Sequence, residues 1–144
     1  MRCAVHVTIV FAVLVAAFCG RALAAEAQGL AEKVLSQPVR QPPTDCPAAS
    51  NRMDLELCAV ARFRKADADL NKVFRTITSD VNRDDRNKKL LRESQRFWLR
   101  YRDSTCDWQS DNVRGGTAAT LYAVNCLADV TEAQAKYLDD ASGP

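Results

Sequence analysis

The segment from Lys88 to Cys106 constrains the fold more than any other part of the sequence. Its apolar and small side chains recur every three or four residues, which is the spacing of a helix face and not of a β-strand. One row comprises Leu91, Ser94, Trp98, Tyr101 and Thr105, and a parallel row comprises Leu90, Phe97 and Trp108. Arg92, Arg96, Arg100 and Arg102 lie between these positions. The segment predicts a long helix with covered apolar rows and a basic, solvated opposite face.

The first 24 residues have the pattern of a secretory signal peptide. Arg2 precedes an apolar run over residues 4–18, and residues 22–24 provide the small side chains of a cleavage site. The run is too short and wrongly flanked for a stable membrane span. We therefore expect residues 1–24 to be removed, with cleavage near Ala24 or Ala25. The soluble product would be periplasmic or secreted.

Removal of this segment changes the composition in ways that exclude several functions. The only histidine, His6, is lost, and the loss of Cys3 and Cys19 takes six cysteines to four. The loss of Arg2 and Arg21 takes 20 basic residues to 18, which equals the 18 acidic residues. A neutral exported chain is a poor candidate for binding nucleic acid, so no nucleic-acid partner is expected.

The remaining chain predicts a lead-in followed by three helices. Residues 25–45 contain three prolines and are expected to be flexible, with no more than a helical turn or two near their start. Asn51 is a candidate N-cap for a first helix of about 30 residues. Asp84 or Asp85 is the candidate cap of the central helix, and Thr117 that of the third.

The predicted fold class is all-α, because the mature sequence has no alternating β-branched run. We expect a three-helix antiparallel bundle over residues 46–140, in which the first two helices form a long hairpin. Four cysteines in an exported chain of this size indicate two disulfides, with three possible pairings. Pairing of Cys46 with Cys58 would fasten the lead-in to the first helix. Pairing of Cys106 with Cys126 would join the central and third helices, so these two bridges are predicted.

Residues that carry chemistry are scarce in the predicted mature chain. Without histidine or a free thiol, the commonest general base and nucleophile are missing. No calcium-binding loop of the D-x-D-x-D-G type is present, and acidic pairs such as Asp67/Asp69 are typical of solvated helix faces. Gly115-Gly116 lacks the lysine of a phosphate-binding loop and is interpreted as a turn that needs positive φ. We therefore expect no enzyme activity, no cofactor and no metal.

A set of motifs follows in order along residues 46–138. They are Cys46, the run NRMDLELCA over residues 51–59, the run ADADLN over residues 66–71, Ser94-Gln95-Arg96 with Trp98, Tyr101-Arg102-Asp103 with Cys106, Gly115-Gly116-Thr117, Tyr122, Cys126, Val130-Thr131 and Leu138. In this order they resemble the family of lysozyme-inhibitor LprI-like domains. One position departs from the family pattern, because Gln134 stands where an arginine is usual.

This resemblance implies a small exported helical protein, and no catalytic residues are established for the family. The family is named after a mycobacterial lipoprotein that inhibits lysozyme, so the first hypothesis is a non-catalytic inhibitor that binds a c-type lysozyme. The alternative is an interaction or adaptor module of the cell envelope with a different partner. An enzyme is the third hypothesis, and the missing histidine and thiols count against it. The sequence does not determine the oligomeric state.

Five signature residues of the resemblance allow a structural and a functional interpretation. In the structural one, Trp98 is buried where the three helices meet, and Gln95 beside it bonds a neighbouring helix. Arg102 and Asp103 tie helix ends together. Gly115 and Gly116 form the turn between the central and third helices. In the functional one, Gln95, Arg102 and Asp103 form a polar surface for a partner. We favour the structural interpretation, because polar groups beside a buried indole are usually hydrogen-bonded there.

Charge is unevenly distributed along the chain. Residues 83–102 contain eight basic and three acidic side chains, whereas residues 103–144 contain two basic and seven acidic ones. Helix dipoles and ion pairs between helices can absorb much of this asymmetry. An acidic end would also attract a basic protein such as lysozyme, and a basic helix would suit anionic envelope polymers. The candidate partner contacts are Asp103, Asp107, Asp111, Asp129 and Glu132.

Overall fold

The computed structural model describes residues 29–143, most of which are helical, with no strand in that range. The helices are α1 (Leu30–Leu35), α2 (Arg52–Ser79), α3 (Asp85–Asp111) and α4 (Ala119–Ser142), and a 3₁₀ turn spans Cys46–Ala48. The all-α prediction is confirmed. None of the helices in this range has the length and hydropathy that crossing a bilayer requires. The predicted signal peptide, residues 1–24, lies outside the described residues.

The long helices α2 and α3 begin at the predicted caps. The Asn51 side chain accepts a hydrogen bond from the backbone N–H of Asp54 at 2.9 Å, and the Asp84 side chain accepts one from the N–H of Asn87 at 3.1 Å. Each cap satisfies a donor that has no partner within its helix. The first turns of α2 and α3 are therefore set by local sequence.

The predicted start of the third long helix at Thr117 is wrong. α4 begins at Ala119, and Ala118 in the cap position makes no side-chain hydrogen bond. The preceding backbone instead forms consecutive tight turns, in which the N–H of Gly116 donates to the carbonyl of Val113 at 2.9 Å. A further turn bond runs from Ala119 to Gly116 at 3.4 Å. These turns carry the chain past Thr117 before regular helix begins.

α4 is the helix on which the other two long helices, α2 and α3, pack. It packs most extensively against α2 and also lies along α3. α2 and α3 are connected mainly by the side chain of Arg102, which reaches Asp67 and Phe63. Eight residues of α4 are buried, compared with three residues of α3. The helix predicted to be central, α3, is therefore a flanking helix. Its buried face carries polar side chains, so it contributes less apolar surface to the core.

Two clusters of buried side chains fill the bundle. The larger one includes Ala31 and Val34 of α1, Phe63 of α2, Cys106 of α3 and Leu127 of α4. The second one contains Leu70, Ile77, Ala135 and Leu138. Because α1 contributes two side chains to the larger cluster, the lead-in is a packed part of the domain at residues 30–35. Within the described part of the lead-in, residues 36–45 contain the three prolines and form no helix.

Trp98 packs against a cluster that α2 and α4 share, but it is only partly buried, so the prediction of a buried Trp98 is wrong. The buried face of α3 is defined by Gln95, Arg102 and Cys106. At 3.6 residues per turn, Trp98 lies about 60° around the helix from the centre of that face. Its ring therefore packs against the edge of the second cluster.

One predicted apolar row of α3 faces outward. Leu90, Phe97 and Trp108 are 54%, 66% and 67% exposed, and Tyr101 beside them is 60% exposed. Successive members are 7, 4 and 7 residues apart, so all four lie on one helix face. The expectation that this row is covered is wrong, because the helices of the bundle pack on other sides of α3. We call these four residues the exposed stripe.

Both predicted disulfides are present. Cys46 bonds Cys58 with a Cα–Cα distance of 5.7 Å, and Cys106 bonds Cys126 with a Cα–Cα distance of 5.5 Å. The first bond attaches the 3₁₀ turn to α2, and the second joins the end of α3 to α4. Cys106 and Cys126 are buried in the larger cluster, whereas Cys46 and Cys58 are partly exposed.

We expect loss of the Cys106–Cys126 bond to destabilise the protein more than loss of the other disulfide. The sequence separation is 20 residues for Cys106–Cys126 and 12 residues for Cys46–Cys58. In the chain-entropy account each bond stabilises the fold by about 2–4 kcal/mol, and the bond that closes the longer loop stabilises it more. The Cys106→Ser/Cys126→Ser protein should melt at a lower temperature than the Cys46→Ser/Cys58→Ser protein, which is its matched control. Equal melting temperatures would contradict the expectation.

Candidate functional site

Arg102 is a buried charge between α2 and α3. It is 4% exposed, and its guanidinium carbon lies 5.7 Å from the ring centroid of Phe63 and 5.3 Å from that of Trp98. Its Nε donates to Oδ1 of Asp103 at 2.9 Å, and its Nη1 lies 3.7 Å from Oδ1 of Asp67. Two rings and two carboxylates therefore surround one guanidinium.

This environment is suited to a buried arginine. A buried charge costs several kcal/mol unless it is paired, and the two carboxylates supply that pairing. A guanidinium also stacks on aromatic rings through its faces while it donates hydrogen bonds through its edge. Nη1 has no hydrogen-bond partner, so Asp67 acts on it through charge alone. Arg102 thus connects α3 to α2.

Helical spacing explains how this cluster forms. Phe63 and Asp67 are four residues apart on α2, and Trp98 and Arg102 are four residues apart on α3. Residues at that spacing lie on the same helix face. The sequence motifs include Trp98 and Arg102 but do not indicate Phe63 and Asp67 as their partners. The matching spacing within α2 was the signal that could have found them.

Gln95 connects α3 to α4. It is 8% exposed, and its Oε1 accepts a hydrogen bond from Nε2 of Gln134 at 3.3 Å. Gln134 stands where the family resemblance implied an arginine. In this chain the contact at that position is a neutral amide–amide hydrogen bond.

The five acidic residues considered as partner contacts belong to separate local groups. Asp103 pairs with Arg102, Asp111 pairs with Arg114, and Asp129 and Glu132 both pair with Arg62, whereas Asp107 is exposed and makes no ion pair within residues 29–143. Most of this negative charge is therefore partly balanced by a neighbouring arginine. Asp103 is also enclosed by the start of α1, because a Cβ atom at Gly29 would overlap its carboxylate.

Two of these pairs are bidentate and exposed. Arg62 donates to Glu132 at 2.8 and 2.5 Å, and the hydrogen bond to Glu132 is the main cause of the raised pKa of Arg62. Arg114 donates to both carboxylate oxygens of Asp111 at 2.6 Å, which lowers the pKa of Asp111. Exposed ion pairs contribute little to stability. Their consequence here is that the ionised form of Asp111 is favoured.

Gly115 and Gly116 lie in the turn between α3 and α4. Gly115 has φ +77°, a conformation that a side chain disfavours. A Cβ atom at Gly116 would lie 3.0 Å from the carbonyl oxygen of Val113, which accepts the hydrogen bond of that turn. The pair is thus a structural turn within the loop that the Cys106–Cys126 bond closes.

The described part of the chain offers surfaces and ion pairs for binding. Across residues 29–143, no group of three or more histidine, cysteine, aspartate or glutamate side chains is placed to hold a metal ion. All four cysteines of this range are in disulfides. The structure defines a class of small helical domain braced by disulfides, with a buried arginine between two of its helices.

Comparison with known proteins places the chain within that class. The family described as lysozyme inhibitor LprI matches residues 44–138, so the chain belongs to this family, as the sequence motifs predicted. The chain is 33% identical over 103 residues to an uncharacterised protein of Rhizobium meliloti (strain 1021). That match covers 64% of this chain and 74% of the relative. No solved structure matches.

Proposed function

We propose that this protein is exported, has no catalytic activity, and slows a c-type lysozyme by binding it. Membership of the lysozyme inhibitor family over residues 44–138 carries the proposal. Two disulfides suit an oxidising compartment outside the cytoplasm. The proposal includes a signal peptide at residues 1–24, a helical domain that ends near residue 140, and release of the mature chain as a soluble protein.

The acidic end of α3 is the proposed attraction site for the basic enzyme. Asp107 and Asp111 are exposed in the last turns of that helix, and the carboxyl end of the helix dipole adds to their negative potential. Asp129 and Glu132 share one arginine, so their group keeps a net negative charge. Opposite charge chiefly raises the association rate. The carboxylate of Asp103 is bonded to Arg102 and is not free to contact a partner. Asp103 contributes only through the net negative charge of the group that it forms with Asp67 and Arg102.

We expect the oxidised protein to lower the rate at which lysozyme clears a bacterial cell suspension. The effect should weaken as salt rises, because the Debye length falls to about 8 Å near physiological ionic strength. Asp107→Lys/Asp111→Lys should reduce the inhibition without unfolding α3, since lysine suits the carboxyl end of a helix. Turbidity at several salt concentrations, with circular dichroism of each protein, measures both effects.

Asp139→Lys/Asp140→Lys provides a matched control. It makes the same change in net charge near the end of another helix, α4, and both aspartates are exposed. Inhibition should be largely retained in this variant. If an equimolar amount of oxidised wild-type protein leaves the lysis rate unchanged at low salt, the inhibitor proposal is wrong for this chain.

A further inference from the structure

The exposed stripe of α3 is an apolar surface that no other helix of the described chain covers. Its three aromatic side chains are 60–67% exposed. An aromatic side chain offers about 150–250 Å² of surface, so the stripe presents on the order of 400 Å². Contiguous patches of this size on soluble monomers are often functional. Tyr137 of α4 extends the surface, since it lines a cleft of about 290 Å³ with Leu90 and Ser94.

We propose that the stripe binds a second copy of this chain, with the two α3 helices antiparallel. The proposal goes beyond the inhibitor function and does not depend on it. The spacing of 7, 4 and 7 residues is the same from either end and is centred on Leu99. A reversed second helix therefore places Leu90 against Trp108 and Phe97 against Tyr101 of the second copy. A single two-fold axis that passes beside Leu99 relates all of these contacts, as an isologous interface requires.

The charges of α3 favour this orientation. Its N-terminal part carries the basic residues Arg86, Lys88, Lys89, Arg92, Arg96 and Arg100, with Asp85 and Glu93 as the acidic ones. The part after Arg102 carries only acidic residues, Asp103, Asp107 and Asp111. An antiparallel pair brings each basic part beside an acidic part, whereas a parallel pair aligns like charges. A basic partner would meet the six basic residues along the same helix, so a second copy fits the surface better.

The two-fold register also predicts individual pairs. With a rise of about 1.5 Å per residue, Arg86 lies nearly level with Asp111 of the second copy, and Lys89 lies nearly level with Asp107. At 3.6 residues per turn, the members of each pair project from the same flank of the interface. Each pair occurs twice because of the symmetry. These contacts would form the polar rim around the apolar centre.

The dimensions fit a weak dimer. α3 has 27 residues, which gives a length of about 40 Å. A standard interface buries about 800 Å² on each partner, of which the stripe supplies roughly half as an apolar centre. We therefore expect a dissociation constant on the order of 1–10 μM.

Sedimentation equilibrium of the oxidised protein, isolated after export, tests the proposal. The wild-type protein should be dimeric at concentrations well above the dissociation constant. Phe97→Glu/Trp108→Glu should weaken the dimer by about a hundredfold, because both side chains lie at its apolar centre. Met53→Glu/Val81→Glu is the matched control, since Met53 and Val81 are 60% and 88% exposed and lie off the stripe. That control should remain dimeric, and all variants should keep the helicity of the wild type.

Charge exchange tests the register. Lys89→Asp alone and Asp107→Lys alone should each weaken the dimer by about tenfold, because each creates two like-charge contacts. The double variant Lys89→Asp/Asp107→Lys should recover most of the loss, since opposite charges again face each other. A double variant that is no better than the single ones would overturn the antiparallel register.

Two further results would overturn the proposal as a whole. One is a wild-type protein that stays monomeric at about 100 μM, well above the expected dissociation constant. The other is dissociation of the Met53→Glu/Val81→Glu control to the same extent as the stripe variant. The stripe variant keeps Asp107 and Asp111, and loss of the dimer frees both from the basic residues of the second copy. If both proposals hold, this variant should therefore inhibit lysozyme at least as well as the wild type. A monomeric wild type whose inhibition is lost in the stripe variant would assign the stripe to lysozyme instead.

Discussion

Replacement of Arg102 by alanine is expected to lower the free energy of unfolding by about 3–5 kcal/mol. The substitution removes the cation that Asp67 and Asp103 share and leaves both carboxylates, which are 22% and 20% exposed, without it. It also opens a space between the rings of Phe63 and Trp98. For a small domain whose total stability is about 5–15 kcal/mol, such a loss would leave a substantial unfolded fraction. Urea unfolding followed by circular dichroism measures it.

Two further proteins make this result specific. Arg100→Ala is the matched control, because Arg100 is exposed and stacks only on the exposed ring of Phe97, 4.9 Å away. Its stability should stay within about 0.5 kcal/mol of the wild type. Arg102→Met combined with Asp67→Asn and Asp103→Asn should be more stable than Arg102→Ala, because no uncompensated carboxylate remains. If Arg102→Ala and Arg100→Ala unfold at the same urea concentration, Arg102 does not stabilise the fold.

The second large effect is expected at Phe63. Phe63 is 0% exposed in the larger cluster, and Phe63→Ala should cost about 3–5 kcal/mol through lost apolar burial and the resulting cavity. Trp98→Ala should cost less, because Trp98 is only partly buried at the edge of the second cluster. Since both rings contact Arg102, the double variant should show a coupling of about 0.5–3 kcal/mol. Chemical denaturation of the two single variants and the double variant measures these differences.

Phe97→Ala is the control for these aromatic substitutions. Phe97 is next to Trp98 in the sequence but 66% exposed, so its truncation should change the stability of the monomer by less than about 0.5 kcal/mol. Measurement at protein concentrations below the expected dimer dissociation constant keeps association out of the comparison. A Trp98→Ala protein less stable than Phe63→Ala would show that Trp98 is the main core residue after all.

Local features of the sequence were enough to predict the long helices and the two disulfides. Asn51 and Asp84 mark helix starts because their side chains bond donors only three residues ahead. The disulfide pairing followed from cysteine positions at the ends of predicted helices. Thr117 is the exception, since the turn that precedes it is closed by backbone bonds that side-chain types do not reveal.

The residues of the candidate site could be predicted only in part from the sequence. Motif order was enough to predict the family, and it singled out Arg102 and Gln95. It did not reveal that Phe63 and Asp67 surround the arginine, because those contacts join residues on different helices. The acidic residues were visible as a charge excess, but their pairing with Arg62 and Arg114 depends on side-chain placement.

The sequence by itself determined that this chain forms long amphipathic helices braced by two disulfides, because helical period, caps and cysteine spacing are local properties. Only the tertiary structure decided which faces of those helices are covered. α3 has two apolar rows, and the positions of its neighbours leave Leu90, Phe97 and Trp108 outside while Gln95 and Arg102 are buried. Periodicity defines the faces of a helix, but the neighbours that pack on it determine which face loses contact with water.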